Sequence, residues 1–306
     1  MKKAGPVVLS IFGILFMLHG VGWAAGTVFA NGVFVTSDGG CMMEYAGDSV
    51  CISKDGVNWR RRIYAEAPSI NGFAFGNNTF VGVGFNHVIT SPDGVNWTKR
   101  EVGDAGVLEN VAFGNNTFVA VSGTRDYGII TSPDGVNWTK RATPSVRNFY
   151  GVAFGNNTFV TIGGLDSTIF TSRDGVTWTE REKLGGFGSA PLSVSFVKNT
   201  FVIGSDKGSI LLTSPDGVNW TKRALLPNIR FNNVIFANNI FVAAADSYGI
   251  ATSKDGVNWK IVEHDCGFIS SVAFGNGTFV ALGNKILISK TGATWSLVSE
   301  GRLGLP

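Results

Sequence analysis

Four aspartates in equivalent positions are the first residues that could carry chemistry. Asp126, Asp166, Asp206 and Asp246 each lie in a short polar segment that recurs along the chain. Glycoside hydrolysis needs two facing carboxyl groups, and a ring of acids could also bind a cation or sugar hydroxyls. Aspartate is equally common in turns, where its side chain bonds the local backbone. We favour the turn-forming role for these residues, and the sequence predicts no metal site.

Arginine and tyrosine offer a second chemistry. Arg125, Arg147 and Arg230 could bind a substrate carboxylate, with Tyr150 as nucleophile and Asp126 as general acid. Catalysis needs such groups at defined distances, and these residues lie in irregular segments whose geometry the sequence does not determine. We therefore assign no catalytic residue. The sequence contains no phosphate-binding loop, CxxC pair or histidine-rich metal spacing, so we expect no cofactor.

The elements that would position such residues come from a repeat. SPDGVNWTKR occurs unchanged at 91–100, 132–141 and 214–223, with variants at 53–62, 172–181, 253–262 and 289–298. The order Ser, Pro, Asp, Gly is typical of a type I turn, and Ser and Asp side chains can accept bonds from nearby N–H groups. From Val to Arg, residues of different polarity alternate, which is typical of a strand with one buried face.

A second phrase precedes each copy of the first. FGNNTFV occurs at 75–81, 113–119 and 154–160, with variants at 29–35, 196–202, 236–242 and 274–280. Its Asn and Gly residues supply the positive φ angles of a tight hairpin. Each unit therefore predicts four short strands. In the third unit these are Asn110–Gly114, Thr117–Ser122, Gly128–Ser132 and Val136–Arg141.

The repeat period indicates the fold. Successive tryptophans of the first phrase, from Trp59 to Trp295, are 38, 41, 40, 42, 39 and 36 residues apart. A period near forty with four strands per unit is typical of a β-propeller blade. We predict an all-β protein, a seven-bladed β-propeller with four antiparallel strands per blade, formed by residues 25–306 as a single domain. Each unit is a whole blade, so we expect the ring to close without a strand shared between the first and last blades.

The phrase Ser-x-Asp-Gly-x-x-Trp resembles the Asp-box, or BNR repeat, of sialidase-like propellers. The usual box has one more residue between Asp and Trp, the seventh copy has Thr291 in place of Asp, and the arginine-bearing N-terminal motif of sialidases is absent. The resemblance implies a structural turn between strands three and four. Because members include glycosidases, lectins, assembly factors and receptors, it leaves function open. The residues given the structural role are Asp55, Trp59, Asp93, Trp97, Asp134, Trp138, Asp174, Trp178, Asp216, Trp220, Asp255, Trp259 and Trp295.

A four-stranded meander places its turns on two faces of the disc. The two repeated turns lie on one, the motif face; the turns between strands two and three and the connections between blades lie on the other, the loop face. The loop face carries the sequence variation, although variable loops also collect polar residues without function. Because Tyr and Arg often carry recognition, we predict a ligand-binding surface there. It comprises Tyr45, His87, Arg125, Asp126, Tyr127, Arg147, Tyr150, Arg230, Tyr248 and His264.

The N-terminus predicts export. Lys2 and Lys3 precede an apolar run from Val7 to Leu18 and small residues up to Ala25, as in a signal peptide cleaved after Ala24. The run is shorter than the roughly 20 residues of a spanning helix, so we expect no membrane insertion after cleavage. Of 25 basic and 22 acidic residues, cleavage removes two basic ones. The near-neutral balance predicts no nucleic-acid partner. The signal peptide predicts a periplasmic, cell-surface or secreted location.

Three cysteines allow one internal disulfide and leave one thiol. Cys41 lies in a long loop of the first unit and Cys266 in the connection entering the seventh, which a closed ring brings together on one face. We predict a Cys41–Cys266 bridge with Cys51 as a buried thiol. Pairing of Cys41 with Cys51 is the rival.

These patterns predict a monomeric binding or scaffolding propeller that recognises a glycan or a protein on its loop face. Two alternatives remain open. One is a sialidase-like glycoside hydrolase, which facing acids in the central funnel would favour. The other is an assembly factor for a membrane or surface complex.

Overall fold

The structure, a computed structural model, describes residues 26–37, 49–63, 70–124, 127–143, 148–163, 167–184, 193–204, 210–224, 229, 231–245, 249–262 and 267–299. Within these ranges there is no helix, and hence none long and apolar enough to cross a membrane. The residues of the predicted signal peptide lie outside the described ranges.

Seven four-stranded antiparallel sheets form seven blades. Blade one contains β1 Val28–Ala30, β2 Val33–Ser37, β3 Ser49–Ser53 and β4 Trp59–Ile63; blade two β5 Ile70–Gly76, β6 Thr79–Gly84, β7 His87–Ser91 and β8 Thr98–Glu101; blade three β9 Leu108–Gly114, β10 Thr117–Ser122, β11 Ile129–Ser132 and β12 Thr139–Arg141; blade four β13 Phe149–Gly155, β14 Thr158–Gly163, β15 Thr168–Ser172 and β16 Thr179–Lys183.

The last three blades follow the same pattern. Blade five contains β17 Val194–Val197, β18 Thr200–Gly204, β19 Ile210–Ser214 and β20 Thr221–Ala224; blade six β21 Asn233–Ala237, β22 Ile240–Ala244, β23 Ile250–Ser253 and β24 Trp259–Val262; blade seven β25 Ile269–Gly275, β26 Thr278–Gly283, β27 Ile286–Ser289 and β28 Ser296–Ser299.

Within each sheet, strands that are consecutive in the chain pair with one another. The first strands of successive blades contact one another. This confirms the predicted seven-bladed β-propeller. The third unit shows how the predicted bounds shift: its fourth strand begins at Thr139, because Val136, Asn137 and Trp138 belong to the preceding turn.

The turn between strands three and four, called here the SxDG turn, is a closed hydrogen-bonded unit. In blade three, Ser132 Oγ accepts bonds from the N–H groups of Asp134 and Gly135 at 3.3 and 2.8 Å. Asp134 Oδ1 accepts bonds from the N–H groups of Val136 and Asn137, both at 2.8 Å. Two side chains therefore satisfy four backbone donors that no strand pairs.

The side chains that follow the turn hold it in place. Asn137 Nδ2 donates to Asp134 Oδ2 at 2.8 Å, and the indole Nε1 of Trp138 donates to the carbonyl of Gly135 at 2.9 Å. The Trp138 ring packs near Phe118, with ring centroids 6.5 Å apart. The tryptophan therefore packs against the core and also stabilises its own turn through a hydrogen bond.

Hydrogen bonding sets the charge state of these aspartates. Partial burial works to raise the pKa of Asp93, but bonds from the N–H groups of Asn96 and Val95, with others from the Asn96 amide and Ser91, outweigh it and lower the pKa to about 2. A carboxylate that accepts several bonds in the folded state favours its ionised form. The turn is therefore held by an anion at neutral pH.

In five blades the hairpin between strands one and two forms a hydrogen bond to the next blade. Asn115 adopts φ 44°, in the left-handed region that Asn tolerates, and its Nδ2 donates to the carbonyl of Arg173 in the SxDG turn of the next blade. The same bond recurs at 2.7 to 3.1 Å from Asn77 to Pro133, Asn115 to Arg173, Asn156 to Pro215, Asn238 to Lys290 and Asn276 to Lys54.

Blade five replaces this contact with another. Lys198 stands at the asparagine position, and its Nζ lies 4.6 Å from the ring centroid of Phe236 and 5.7 Å from that of Phe241, both in blade six. A cation over aromatic faces is attractive. The junction between blades five and six is therefore bridged by a different interaction in the same place.

The ring closes without a shared strand, as predicted. Blade seven meets blade one through Asn276, whose Nδ2 lies 2.8 Å from the carbonyl of Lys54 and 3.3 Å from that of Gly32. On the inner strands, Ser271 Oγ donates to Thr27 Oγ1 at 3.2 Å. The hydrophobic clusters likewise lie between neighbouring blades, and one of them joins blades six, seven and one.

Gly275 completes this junction. A Cβ at Gly275 would collide with the ring of Phe29 in blade one, and Gly76, Gly114 and Gly155 meet the Phe of the following blade in the same way. Blade contact is therefore close enough that only glycine fits at these positions.

We expect Asn276→Asp to destabilise the ring at its closing junction. Aspartate tolerates the left-handed backbone but loses the amide donor and faces two carbonyl oxygens, so the loss should be about 1 to 3 kcal/mol. Denaturant unfolding measures it. The control is Asn116→Asp, which introduces the same charge at a left-handed position (φ 61°) whose side chain makes no described bond. Equal effects of the two changes would contradict this account.

The seventh SxDG turn allows a gain of stability. Thr291 Oγ1 accepts the bonds that aspartate accepts elsewhere, from Ala293 N and Thr294 N at 3.2 and 3.4 Å. Since charge-assisted bonds are stronger, Thr291→Asp should stabilise the protein by about 1 kcal/mol at neutral pH. The folded-state pKa would lie below the unfolded value, so the gain should disappear as the pH falls from about 4 to about 2. Denaturant titrations at several pH values measure this.

The reciprocal change is the control. Asp93→Thr gives blade two the turn of blade seven and should lose a similar amount with the same pH dependence. A gain at Thr291→Asp that persists at pH 2 would show that the carboxylate is not its source.

Candidate functional site

Most residues of the predicted ligand-binding surface lie outside the described ranges. These are Tyr45, Arg125, Asp126, Arg147, Arg230, Tyr248 and His264, together with the cysteines Cys41 and Cys266. The predicted residues that are described are His87, Tyr127 and Tyr150. They lie in blades two, three and four, so the geometry that follows concerns that part of the loop face.

His87 is not a surface residue, and its predicted exposure on the loop face is wrong. It is 1% exposed within β7, and its Nδ1 lies 2.6 Å from the carbonyl oxygen of Phe85. The imidazole faces inward because a two-residue turn, Phe85-Asn86, joins β6 directly to β7. His87 therefore supports the turn from inside.

The turn that His87 supports presents an exposed aromatic side chain. Phe85 is 53% exposed, while its backbone forms a bridge with Val107. Asn86 N donates to the carbonyl of Gly106 at 2.8 Å, and Asn86 Oδ1 accepts a bond from Ala105 N at 3.2 Å. The turn is thus tied to the connection between blades two and three, and Phe85 is presented on a fixed backbone.

Phe85 is unlike the other exposed apolar residues. Among the described residues the others are Leu297 on an outer strand and four valines, Val57, Val176, Val218 and Val257, that share one position after the SxDG glycine. Sequence reasoning missed Phe85 because a single aromatic residue has no repeat to mark it. The available signal was the short segment between strands two and three, which leaves little room to bury a side chain.

Tyr127 lies beside this turn. Its hydroxyl donates to Asp104 Oδ2 at 2.7 Å, and Lys140 Nζ lies 5.2 Å from its ring centroid. A Cβ on Gly106 would lie 2.7 Å from its ring, so the ring covers Gly106, the residue that accepts the Asn86 bond. Tyr127 is therefore half-buried, with its ring and hydroxyl both held in place.

Tyr150 is the half-buried aromatic of blade four. It is an extra residue in β13, at a bulge between Phe149 and Gly151, and its hydroxyl lies 3.4 Å from Asn148 Nδ2. Bulges are common at rims and sites because they redirect a side chain. The first strands form the inner ring, so the bulge sets Tyr150 at the loop-face end of that ring.

The equivalent bulge of blade three carries Glu109, which sequence reasoning also missed. Glu109 lies between the paired residues Leu108 and Asn110 and is 7% exposed. A Cβ on Gly123 would collide with its Oε1, so the carboxyl group occupies the space that this glycine leaves open. Within the described chain Glu109 is the only buried carboxyl group.

Two other blades place asparagine at the position equivalent to Glu109 and bond it to the next blade. Asn71 Nδ2 donates to the carbonyl of Leu108, and Asn232 Nδ2 to that of Ile269. Glu109 makes no described hydrogen bond or ion pair. Burial therefore raises the pKa of its carboxyl group to about 8, because the charged form loses hydration without a compensating partner.

Phe85 and Glu109 are linked through Val107 and Gly123. Val107, which pairs with Phe85, accepts a bond at its carbonyl from Gly123 N at 2.9 Å, and Gly123 lies against the Glu109 carboxyl. We define the Phe85 patch as Phe85, Asp104, Val107, Glu109 and Tyr127. It combines a rigid apolar group with a carboxyl group in a poorly hydrated place.

The disulfide prediction needs correction. Cys51, predicted to be a free thiol, is disulfide-bonded and fully buried in β3. Because the chain has three cysteines, this bond takes one of the other two, and a Cys41–Cys266 bridge cannot coexist with it. The prediction rested on which loops approach each other in a closed ring. It assumed that a cysteine inside a strand cannot form a disulfide.

The motif face contains polar clefts between blades. One of about 630 Å³ lies between blades four and five and is lined by Arg173, Asp174 and Asp216 among others. Another of about 430 Å³ lies between blades one and two. Their aspartates already accept the bonds of the SxDG turns. Within the described residues, no group of three or more His, Cys, Asp or Glu side chains is placed to hold a metal ion.

Comparison with known proteins supports the architecture. No family model and no curated protein matches this sequence. Among solved structures, the chain is similar to YCF48 bound to D1 peptide (TM-score 0.65, 16% identity, covering 94% of this chain and 95% of that one). It is also similar to YCF48 from Cyanidioschyzon merolae (0.55, 20%, 72% and 80%) and to the WD40 propeller domain of Doa1 (0.61, 14%, 92% and 97%). At these identities the likeness shows the fold alone.

The buried carboxyl group gives a pH prediction. The folded state keeps a proton on Glu109 up to about pH 8, whereas the unfolded chain releases it near pH 4.5. Stability should therefore fall as the pH rises between these values, by up to about 1.4 kcal/mol per pH unit. Glu109→Gln should remove this slope. Denaturant unfolding of both proteins from pH 5 to 8 measures the difference, in which all other titrating groups cancel.

The control is Glu182→Gln, at an exposed position in β16, which should leave the slope of the parent protein unchanged. Parallel pH profiles for the parent protein and Glu109→Gln would mean that the carboxyl group is hydrated in the folded state.

Proposed function

We propose that this chain is a binding or scaffolding propeller that receives a segment of a protein partner on its loop face. The observation that carries the proposal is Phe85, half exposed and fixed by backbone bonds to the next blade. An aromatic anchor held in place loses little entropy on binding, which is what the central residues of binding surfaces require.

The two faces of the propeller present different residues, which supports this assignment. The motif face is occupied by turns whose polar groups bond the backbone or the neighbouring blade. The described part of the loop face presents Phe85, Tyr127 and Tyr150, and aromatic residues are enriched where proteins recognise one another.

The nature of the partner is supported by a neighbour. The solved structure of YCF48 contains a bound D1 peptide, so a propeller of similar architecture accepts a peptide. We extend that mode of binding to this chain. A glycan partner is the alternative, and an assembly role for a membrane or surface complex would be one use of peptide binding.

The SxDG turn supports membership of the Asp-box group within the sialidase-like propellers. Its serine and aspartate side chains cap the backbone and its tryptophan packs inward, which is the structural role that the resemblance implies. A sialidase-like hydrolase is the enzymatic alternative, and the residues other than Tyr150 that it would use, Arg125, Asp126, Arg147 and Arg230, lie outside the described ranges.

Export completes the proposal, with residues 1–24 as a signal peptide and 25–306 as the mature, monomeric propeller. The disulfide at Cys51 supports an oxidising location, because such bonds persist in periplasmic and secreted proteins and are rare in the cytosol. The near balance of basic and acidic residues argues against nucleic acid as partner.

A peptide selection tests the function. A random twelve-residue phage library is panned against the protein produced by export from the full chain, and the selected peptides are measured on two variants. Phe85→Ser should weaken binding by about tenfold or more, as loss of an anchor does. Val257→Ser is the matched control, since Val257 is 39% exposed on the motif face, and it should leave binding within about twofold.

Peptides that bind both variants alike would contradict the loop-face assignment. A parallel glycan array addresses the alternative: glycan binding that depends on Phe85, without peptide binding, would replace the protein partner by a carbohydrate.

A further inference from the structure

The Phe85 patch contains a polar group that the described residues leave without a partner. Glu109 is more than nine-tenths buried and makes no described hydrogen bond, whereas the asparagines at the equivalent positions of blades two and six bond the next blade. A buried polar group left unpaired costs stability. Its carboxyl group, close to an exposed aromatic side chain, is therefore available to a ligand.

The charged residues in the connection that leads into blade three are acidic. The connection from Glu101 to Glu109 contains three carboxyl groups, with Asp104 between them, and no basic residue. Asp104 accepts a hydrogen bond from the Tyr127 hydroxyl. The Tyr127 ring covers Gly106, whose carbonyl accepts the bond from Asn86, the residue after Phe85. The basic group described nearest to Tyr127 is Lys140, which lies over its ring on the outer strand. The patch therefore favours a positively charged ligand.

We propose, building on the function proposed above, that the segment received by the Phe85 patch carries a basic side chain next to an apolar one, and that the basic group pairs with Glu109. The apolar residue packs on Phe85 and Val107. The Lys or Arg reaches past Val107 to the carboxyl group beside Gly123.

An opposite charge is the partner that this carboxyl group requires. A neutral or acidic segment would leave it unpaired in a poorly hydrated place, whereas an ammonium or guanidinium group favours its ionised form and forms a charge-assisted bond. Removing one member of such a pair should then cost more than an exposed ion pair does. The pair supplies specificity, and Phe85 supplies the apolar contact.

The same phage library provides the test. Peptides selected on the parent protein should show Lys or Arg adjacent to an apolar residue, and this preference should disappear when the library is panned on Glu109→Gln. Glu182→Gln, exposed on β16, should keep the preference. Circular dichroism and thermal unfolding establish that Glu109→Gln is folded, since the amide is nearly isosteric with the acid.

A second measurement does not depend on the fold of a variant. The basic residue of the tightest selected peptide is replaced by Gln, and Kd is measured for both peptides on the parent protein and on Glu109→Gln. The replacement should weaken binding to the parent by about tenfold and binding to Glu109→Gln by less than about twofold, which isolates the pair.

The outcomes separate the two proposals. Peptides that depend on Phe85 but show no basic preference, or that lose equal affinity on both proteins, overturn the pairing with Glu109 and leave the binding function intact. Selection of no Phe85-dependent peptide overturns the proposed function and the pairing with it.

Discussion

The fold depends on the contact that each blade makes with the next. A single four-stranded sheet has apolar residues on both faces and cannot bury them alone, and the hydrophobic clusters accordingly lie between blades rather than within them. The asparagine amide bond to the neighbouring SxDG turn fixes the spacing of these sheets. The same bond joins blade seven to blade one. Ring closure is therefore one more copy of a local interaction.

This constraint is one reason why we propose the loop face as the binding surface. The serine and aspartate side chains of an SxDG turn already bond the backbone or the following asparagine, and glycines at several blade junctions leave no space for a larger side chain. A change on the motif face therefore disturbs two blades at once. On the loop face the segment between strands two and three differs in length between blades, and in blade two it consists of Phe85 and Asn86 alone.

Repetition explains how far the sequence could predict this protein. The seven blades, the turns and the absence of a shared strand follow from patterns that seven copies reinforce, and the structure confirms them. Residues outside the repeat have no such support. His87 was expected at the surface, but a turn two residues long places it inside β7. Phe85 and Glu109 went unnoticed because exposure at a short turn and burial at a bulge are three-dimensional properties.

The buried Glu109 side chain can be interpreted only by comparison with the residues at the equivalent positions of other blades. At the same bulge, Asn71 and Asn232 serve the fold by donating to the next blade. A carboxylate cannot donate, and a neutral carboxyl group has one donor where the amide has two. Glutamate is therefore a poorer structural choice at a position where the fold has a better one. Because no described residue bonds the Glu109 carboxyl group, that group is available to the basic ligand that we propose.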